Sequence, residues 1–184
     1  MKSKKLSGKN LGYINVILGL LIIGLGFLLL LTSIINIFEV LLIHAIAIFI
    51  IGIAKITNSL SNEKLNQGLS TWKFIIGLLA VLLAVMVLFT AIFEPLFLTV
   101  EMLVALFGFV FLLIGLEQIA KAIITKSYLN WYRVLILIVG IVNFILSIGI
   151  IIILQVNPLE LIFLSILLIA NGIVRFFLGI IGTE

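Results

Sequence analysis

A single histidine, seven glutamates and a few amides are the residues in this 184-residue sequence best suited to proton or ion chemistry. His44 follows Glu39 by five positions, which on a helix is a rise of about 7 Å. Its imidazole is the one side chain type whose ordinary pKa lies near neutrality. An ionisable group inside an apolar segment is a functional candidate by default. His44 with Glu39, joined by Glu101 and Glu160, could therefore form an acid sensor on one face of a membrane. The structural alternative is a neutral imidazole bonded to a neighbouring turn or to interfacial water. Asn143 and Asn171 also fall within apolar runs. Membrane amides commonly bond a neighbouring helix; the estimated depths of these two differ, and no pairing between them is inferred. Lys55, Glu117, Lys121 and Arg175 could form a second polar belt, with Glu117 and Lys121 in the favourable i,i+4 order. Anchoring at the lipid interface is their expected role.

Much other chemistry is missing. The sequence has no Cys and no Asp, so the common zinc and two-metal sites are lacking. It has no Walker A loop, and Gly24-Leu25-Gly26 lacks the third glycine of a dinucleotide fingerprint. No catalytic constellation, metal or cofactor is expected.

The elements that must position these residues follow from composition. The chain is 65% apolar and 10% charged, against about 45–50% and 25% in soluble domains. Uninterrupted apolar runs argue against a barrel, and in hydrocarbon a helix pairs its own backbone groups. The predicted fold class is an all-α integral membrane protein. Six transmembrane helices are expected near 13–33, 38–57, 72–93, 98–120, 132–154 and 158–179. They divide as a basic N-terminus (1–12), hairpin repeats at 13–60, 72–122 and 131–184, and loops at 61–71 and 123–130. The N-terminal lysines before an apolar run also suggest a signal peptide. The run exceeds a typical h-region and no Ala-x-Ala-like site follows, so an uncleaved first span is expected.

All eleven basic residues fall on one side of such a six-span chain. By the positive-inside rule that side is cytoplasmic, with both termini. Tyr13, Trp72, Tyr128, Trp131 and Tyr132 lie at the same interface. Glu39, Glu94, Glu101 and Glu160 lie at the other. The net charge of +4 is then the sum of two opposed faces, and implies no nucleic-acid partner.

The chain repeats internally. Gly52, Gly115 and Gly172 occupy matching contexts in the even spans, each followed three residues later by Lys55, Gln118 or Arg175. Gly19, Gly77 and Gly140 recur in the odd spans. Small residues also recur every seven positions, as in Gly12-Gly19-Gly26 and Ala45-Gly52-Ser59. Such seams let helix backbones approach closely and imply shallow, left-handed crossings. Three parallel two-helix repeats about an axis along the membrane normal predict a pseudo-threefold bundle. No proline breaks a span at mid-depth. Broken helices and buried charges, the usual marks of secondary transporters, are both expected to be absent.

The run from Trp72 to Leu79, then Glu94-Pro95, Gly108 and Leu113-Ile114-Gly115-Leu116, resembles the short membrane repeat of HdeD-like proteins. That family comprises six-span prokaryotic inner-membrane proteins associated with acid resistance, and the likeness spans about residues 13–179. It implies a non-enzymatic structural or stress-response role and offers no catalytic residues. The competing reading is a small transporter or channel for protons, ions or a small solute; a membrane enzyme ranks third. The expected partners are the lipid bilayer and, as candidates, a second copy of the chain or other membrane proteins.

Overall fold

The computed structural model describes residues 8–32, 37–61, 67–93, 99–126, 128–153 and 158–181. They form six helices: α1 (Gly8–Thr32), α2 (Ile37–Ser61), α3 (Gln67–Phe93), α4 (Val100–Ile124), α5 (Asn130–Ile153) and α6 (Pro158–Ile181). Each contains a stretch long and apolar enough to cross a membrane, and there is no strand among the described residues. Several helices run about a turn further at the basic end than their apolar stretches suggest. Polar residues there still serve the helix. Ser59 Oγ donates to the Ser70 carbonyl at 2.7 Å, and Ser70 Oγ donates to the Ser59 carbonyl at 2.9 Å, tying α2 to α3. At the acidic end, Thr99 caps α4 by accepting the Met102 N–H, and Pro158 occupies the first position of α6, where its missing N–H costs nothing. The turns carrying Glu94, Pro95, Gln155 and Asn157 lie outside the described residues, as does Glu63.

The helices sort into two shells. The apolar stretches of α2, α4 and α6 bury about half their length (56%, 56% and 50%), whereas those of α1, α3 and α5 bury 28%, 33% and 33%. Even helices therefore form the centre, and odd helices face lipid on their outer sides.

The intimate pairings are α2 with α3, α4 with α5 and α6 with α1. These pairs join helices from different sequence hairpins. Helices α1 and α2, α3 and α4, and α5 and α6 are neighbours in the chain but touch far less. The reason lies in the glycines. A methyl group added to Gly52 would lie 2.8 Å from the Gly77 carbonyl oxygen, and one on Gly77 would lie 2.9 Å from that of Gly52. Gly115 meets the Gly140 carbonyl oxygen at 2.9 Å. Gly172 meets the Gly19 carbonyl oxygen at 2.9 Å, and Gly19 meets Phe176 N at 2.6 Å. Further rungs on the α1–α6 seam join Gly12 to Gly179 and Gly26 to Ser165. The seven-residue spacing is thus an antiparallel ladder, used three times, with backbone on backbone where a side chain would stand.

Seam and lipid-facing glycines should respond oppositely to a methyl group. Gly19→Ala forces backbone apart and should cost about 1–3 kcal/mol. Gly24 has nothing within 4 Å of an added methyl, so Gly24→Ala should be neutral or gain about 0.5–1 kcal/mol in helix propensity. Thermal unfolding of the two purified variants against the parent checks the difference; equal melting would contradict the ladder.

Candidate functional site: a buried basic chamber

Counting from each seam glycine shows what the even helices present to the centre. Leu41, Val104 and Leu161 occupy equivalent positions, followed inward by His44, Phe107 and Leu164, then Ile48, Phe111 and Leu168. All are at most 2% exposed and, apart from His44, belong to one apolar cluster. These layers seal the acidic half of the bundle. Beyond the seam glycines the pattern changes. Lys55, Gln118 and Arg175 are equivalent, and one turn further come Asn58, Lys121 and Leu178, each three residues before its helix ends.

These two layers line a cavity of about 50 Å³ at the basic end, with Glu117, Lys73 and Asn171 also on its wall. One water needs about 10–15 Å³ measured this way, so the space exceeds a single solvent molecule. Lys55 donates to the Glu117 carboxylate in a buried ion pair linking α2 and α4. Lys73 comes from α3 and is 5% exposed; Lys121, from α4, is 6% exposed. Arg175 comes from α6, and its Nη1 atom is buried without a hydrogen-bond partner. Four basic side chains thus share the chamber with one carboxylate. This corrects two expectations. Lys55, Glu117 and Lys121 are enclosed by helices and do not anchor at the lipid interface, and the bundle does contain buried charge.

The chamber floor is an amide ring. Asn143 Nδ2 donates to Gln118 Oε1 at 2.7 Å, Gln118 Nε2 to Asn171 Oδ1 at 2.8 Å, and Asn171 Nδ2 to Asn143 Oδ1 at 3.1 Å. Asn171 Nδ2 also reaches the Leu167 carbonyl at 2.7 Å. The two asparagines therefore pair, although their estimated depths differ. Depths counted from the helix ends ignore stagger. At the Gly115–Gly140 rung, an added methyl would lie 3.1 Å from Asn143 Cβ on one side and 3.1 Å from Gln118 Cβ on the other.

His44 stands apart, in the acidic half. Its Nδ1 lies 2.8 Å from the Val40 carbonyl, Nε2 is buried without a partner, and its ring stacks on Phe107 with centroids 6.1 Å apart. Glu39 and Glu101 are exposed at the starts of α2 and α4. The fold turns His44 inward and those carboxylates outward, so they do not gather as one cluster with it. Glu160 lies in the first turn of α6, with its side chain outside the described residues. No group of three His, Cys, Asp or Glu suited to a metal occurs among the described residues.

Lys73 and Asn15 were not legible as buried from their polarity. Yet both stand four residues before a seam glycine, where the third repeat has the fully buried Ile136. Repeat register was the signal. Asn58 Nδ2 donates to Asn15 Oδ1 at 3.4 Å, bridging α2 and α1.

At the rim, Lys121 Nζ sits 5.0 Å from the Tyr128 ring centroid. Partial burial and the nearby Glu117 push the Tyr128 phenol up to about 12. Tyr132 is enclosed, its hydroxyl donating to the Val174 carbonyl at 3.2 Å.

Six apolar spans with a cationic chamber define a multi-pass helical membrane protein. A family model described as a short repeat of unknown function (DUF308) matches residues 17–89 and 90–154. These matches cover well over half of the sequence, and the chain belongs to that family. No curated protein and no solved structure matches it.

Two outcomes follow from the chamber. Glu117→Gln leaves Lys55 buried without its counter-charge and should cost about 3–5 kcal/mol, while the apolar pair Lys55→Met with Glu117→Leu should recover much of that loss. A double-mutant cycle on unfolding free energy measures it; additive losses would remove the ion pair from the account. Tyr128 has a folded pKa above the ordinary phenol value of about 10. Its stabilising contribution is therefore complete below pH 10 and is lost as pH rises towards 12. An absorbance titration of the parent minus Tyr128→Phe should show this late ionisation, and a difference midpoint near 10 would contradict it.

Proposed function

We propose that this chain is an HdeD-like, non-enzymatic component of a prokaryotic cytoplasmic membrane, with a structural or acid-stress role. Membership in the short-repeat family supports the reading, as does the resemblance around Trp72–Leu79 and Leu113–Leu116. The observation that carries it is the closure of the acidic half by Leu41, Val104 and Leu161, by Phe107 and Leu164 beside His44, and by Ile48, Phe111 and Leu168. Among the described residues, packed apolar layers of this kind are a barrier to ions and water. The basic residues favour an arrangement with both termini cytoplasmic, so that the chamber faces the cytoplasm. Its proposed partners are the bilayer itself and a second copy or another membrane protein.

A small transporter is the second reading. The observation favouring it is the buried charge around Lys55 and Glu117, a usual mark of a membrane ion or substrate pathway. Purified protein in liposomes, challenged with a pH gradient and with ion gradients, separates the two. The structural reading expects flux equal to that of empty vesicles. Reproducible, saturable flux would overturn it in favour of transport.

A further inference from the structure

We propose that the basic chamber is a binding site for a phosphate group, presented either as a free oxoanion or as the headgroup of an anionic phospholipid. The inference concerns what occupies the chamber and stands whichever functional reading holds.

Charge balance is the first argument. Lys55, Lys73, Lys121 and Arg175 line the chamber against Glu117 alone, and the Lys55 contact already engages that carboxylate. A cation enclosed by helices without a counter-charge costs several kcal/mol, so a buried lysine here either sheds its proton or takes a counter-ion, and an anion entering the chamber would be held by the charged form. The second argument is unused donors. Arg175 Nη1 is buried without an acceptor, and Lys73, more than nine-tenths buried, lines the same chamber. Both side chains are donor-only groups. The third is room, since the cavity of about 50 Å³ lies among these groups.

The donor set selects the ligand class. A guanidinium offers a planar fork that matches two oxygens of one oxoanion, and ammonium groups add point charges around it. A halide uses neither the fork nor more than one charge. Phosphate, with up to two charges and several acceptor oxygens, uses both. The amide ring beneath is already internally bonded, so it shapes the floor and leaves capture to the cations. Asn58, Lys121 and Leu178 stand within a turn of the basic helix ends, which gives a group at that membrane surface a short way in.

The test uses the full chain in an uncharged detergent. Equilibrium dialysis against radiolabelled inorganic phosphate, at constant ionic strength, should show a single saturable class of site displaced by sulfate and not by chloride. Lys73→Met and Arg175→Gln should each weaken it by about tenfold or more, as expected for a lost charge-assisted contact. Lys126→Gln, an exposed residue in the turn after α4, should leave it unchanged. The second arm replaces phosphate with nanodiscs of phosphatidylglycerol or phosphatidylcholine, followed by native mass spectrometry. Selective phosphatidylglycerol retention that Arg175→Gln abolishes identifies a lipid headgroup; phosphate binding without such retention identifies a free anion. Absence of both in the parent protein overturns the proposal, as does binding of either ligand that both chamber variants leave intact. If a variant fails to fold, the parent's saturation and sulfate competition decide the matter.

Discussion

Backbone contact at the seam glycines is the constraint on which the rest of the bundle depends. Lipid gives apolar helices little reason to leave it for one another, so association requires contacts that lipid tails cannot reproduce. Carbonyl oxygens at Gly52 and Gly77, at Gly140, and at Gly172 and Gly19 approach the facing glycines too closely for a side chain. That approach fixes the stagger within each pair. The stagger in turn decides which residues share a layer at the centre. Gln118 and Asn143 meet because Gly115 and Gly140 do.

The repeated scaffold carries unequal decoration. One layer reads lysine, glutamine, arginine; the next reads asparagine, lysine, leucine; the layers of the acidic half are apolar but for His44. Backbone geometry is threefold in character while the chemistry is concentrated at one end. Structure and charge thus answer to different demands. The seams hold the helices, and the basic layers depart from what packing alone would choose, since apolar residues there would cost nothing to bury.

Helix number, helix type and the glycine spacing could be read from the sequence because each is local. Length in hydrocarbon fixes the spans, and a seven-residue period is visible without knowing the partner. Which seam faces which is a different matter. Hairpin order suggests α1 with α2, whereas the spatial match is α1 with α6. Lys55 and Lys121 near helix ends look like snorkelling anchors, and only the surrounding helices make them interior. Asn171 was recognisable as an amide in search of a neighbour, but its partners come from α4 and α5, beyond any local pattern. His44 was legible as buried; the Phe107 ring beside it was not. Lys73 could have been found by aligning the repeats on their glycines, since position relative to a seam predicts burial better than polarity does.

The α1–α6 seam has a consequence for the order of assembly. During synthesis α2 and α3 emerge in succession, and so do α4 and α5, so those pairs can close almost as they are made. The next span after α1 is α2, whose own glycine seam is taken by α3. The glycine face of α1 stays unmatched until the sixth span has entered the bilayer, so the newborn chain carries an open backbone stripe through most of its insertion. Closure of the circle is therefore a late, long-range event, and the last helix acts as the keystone of the first.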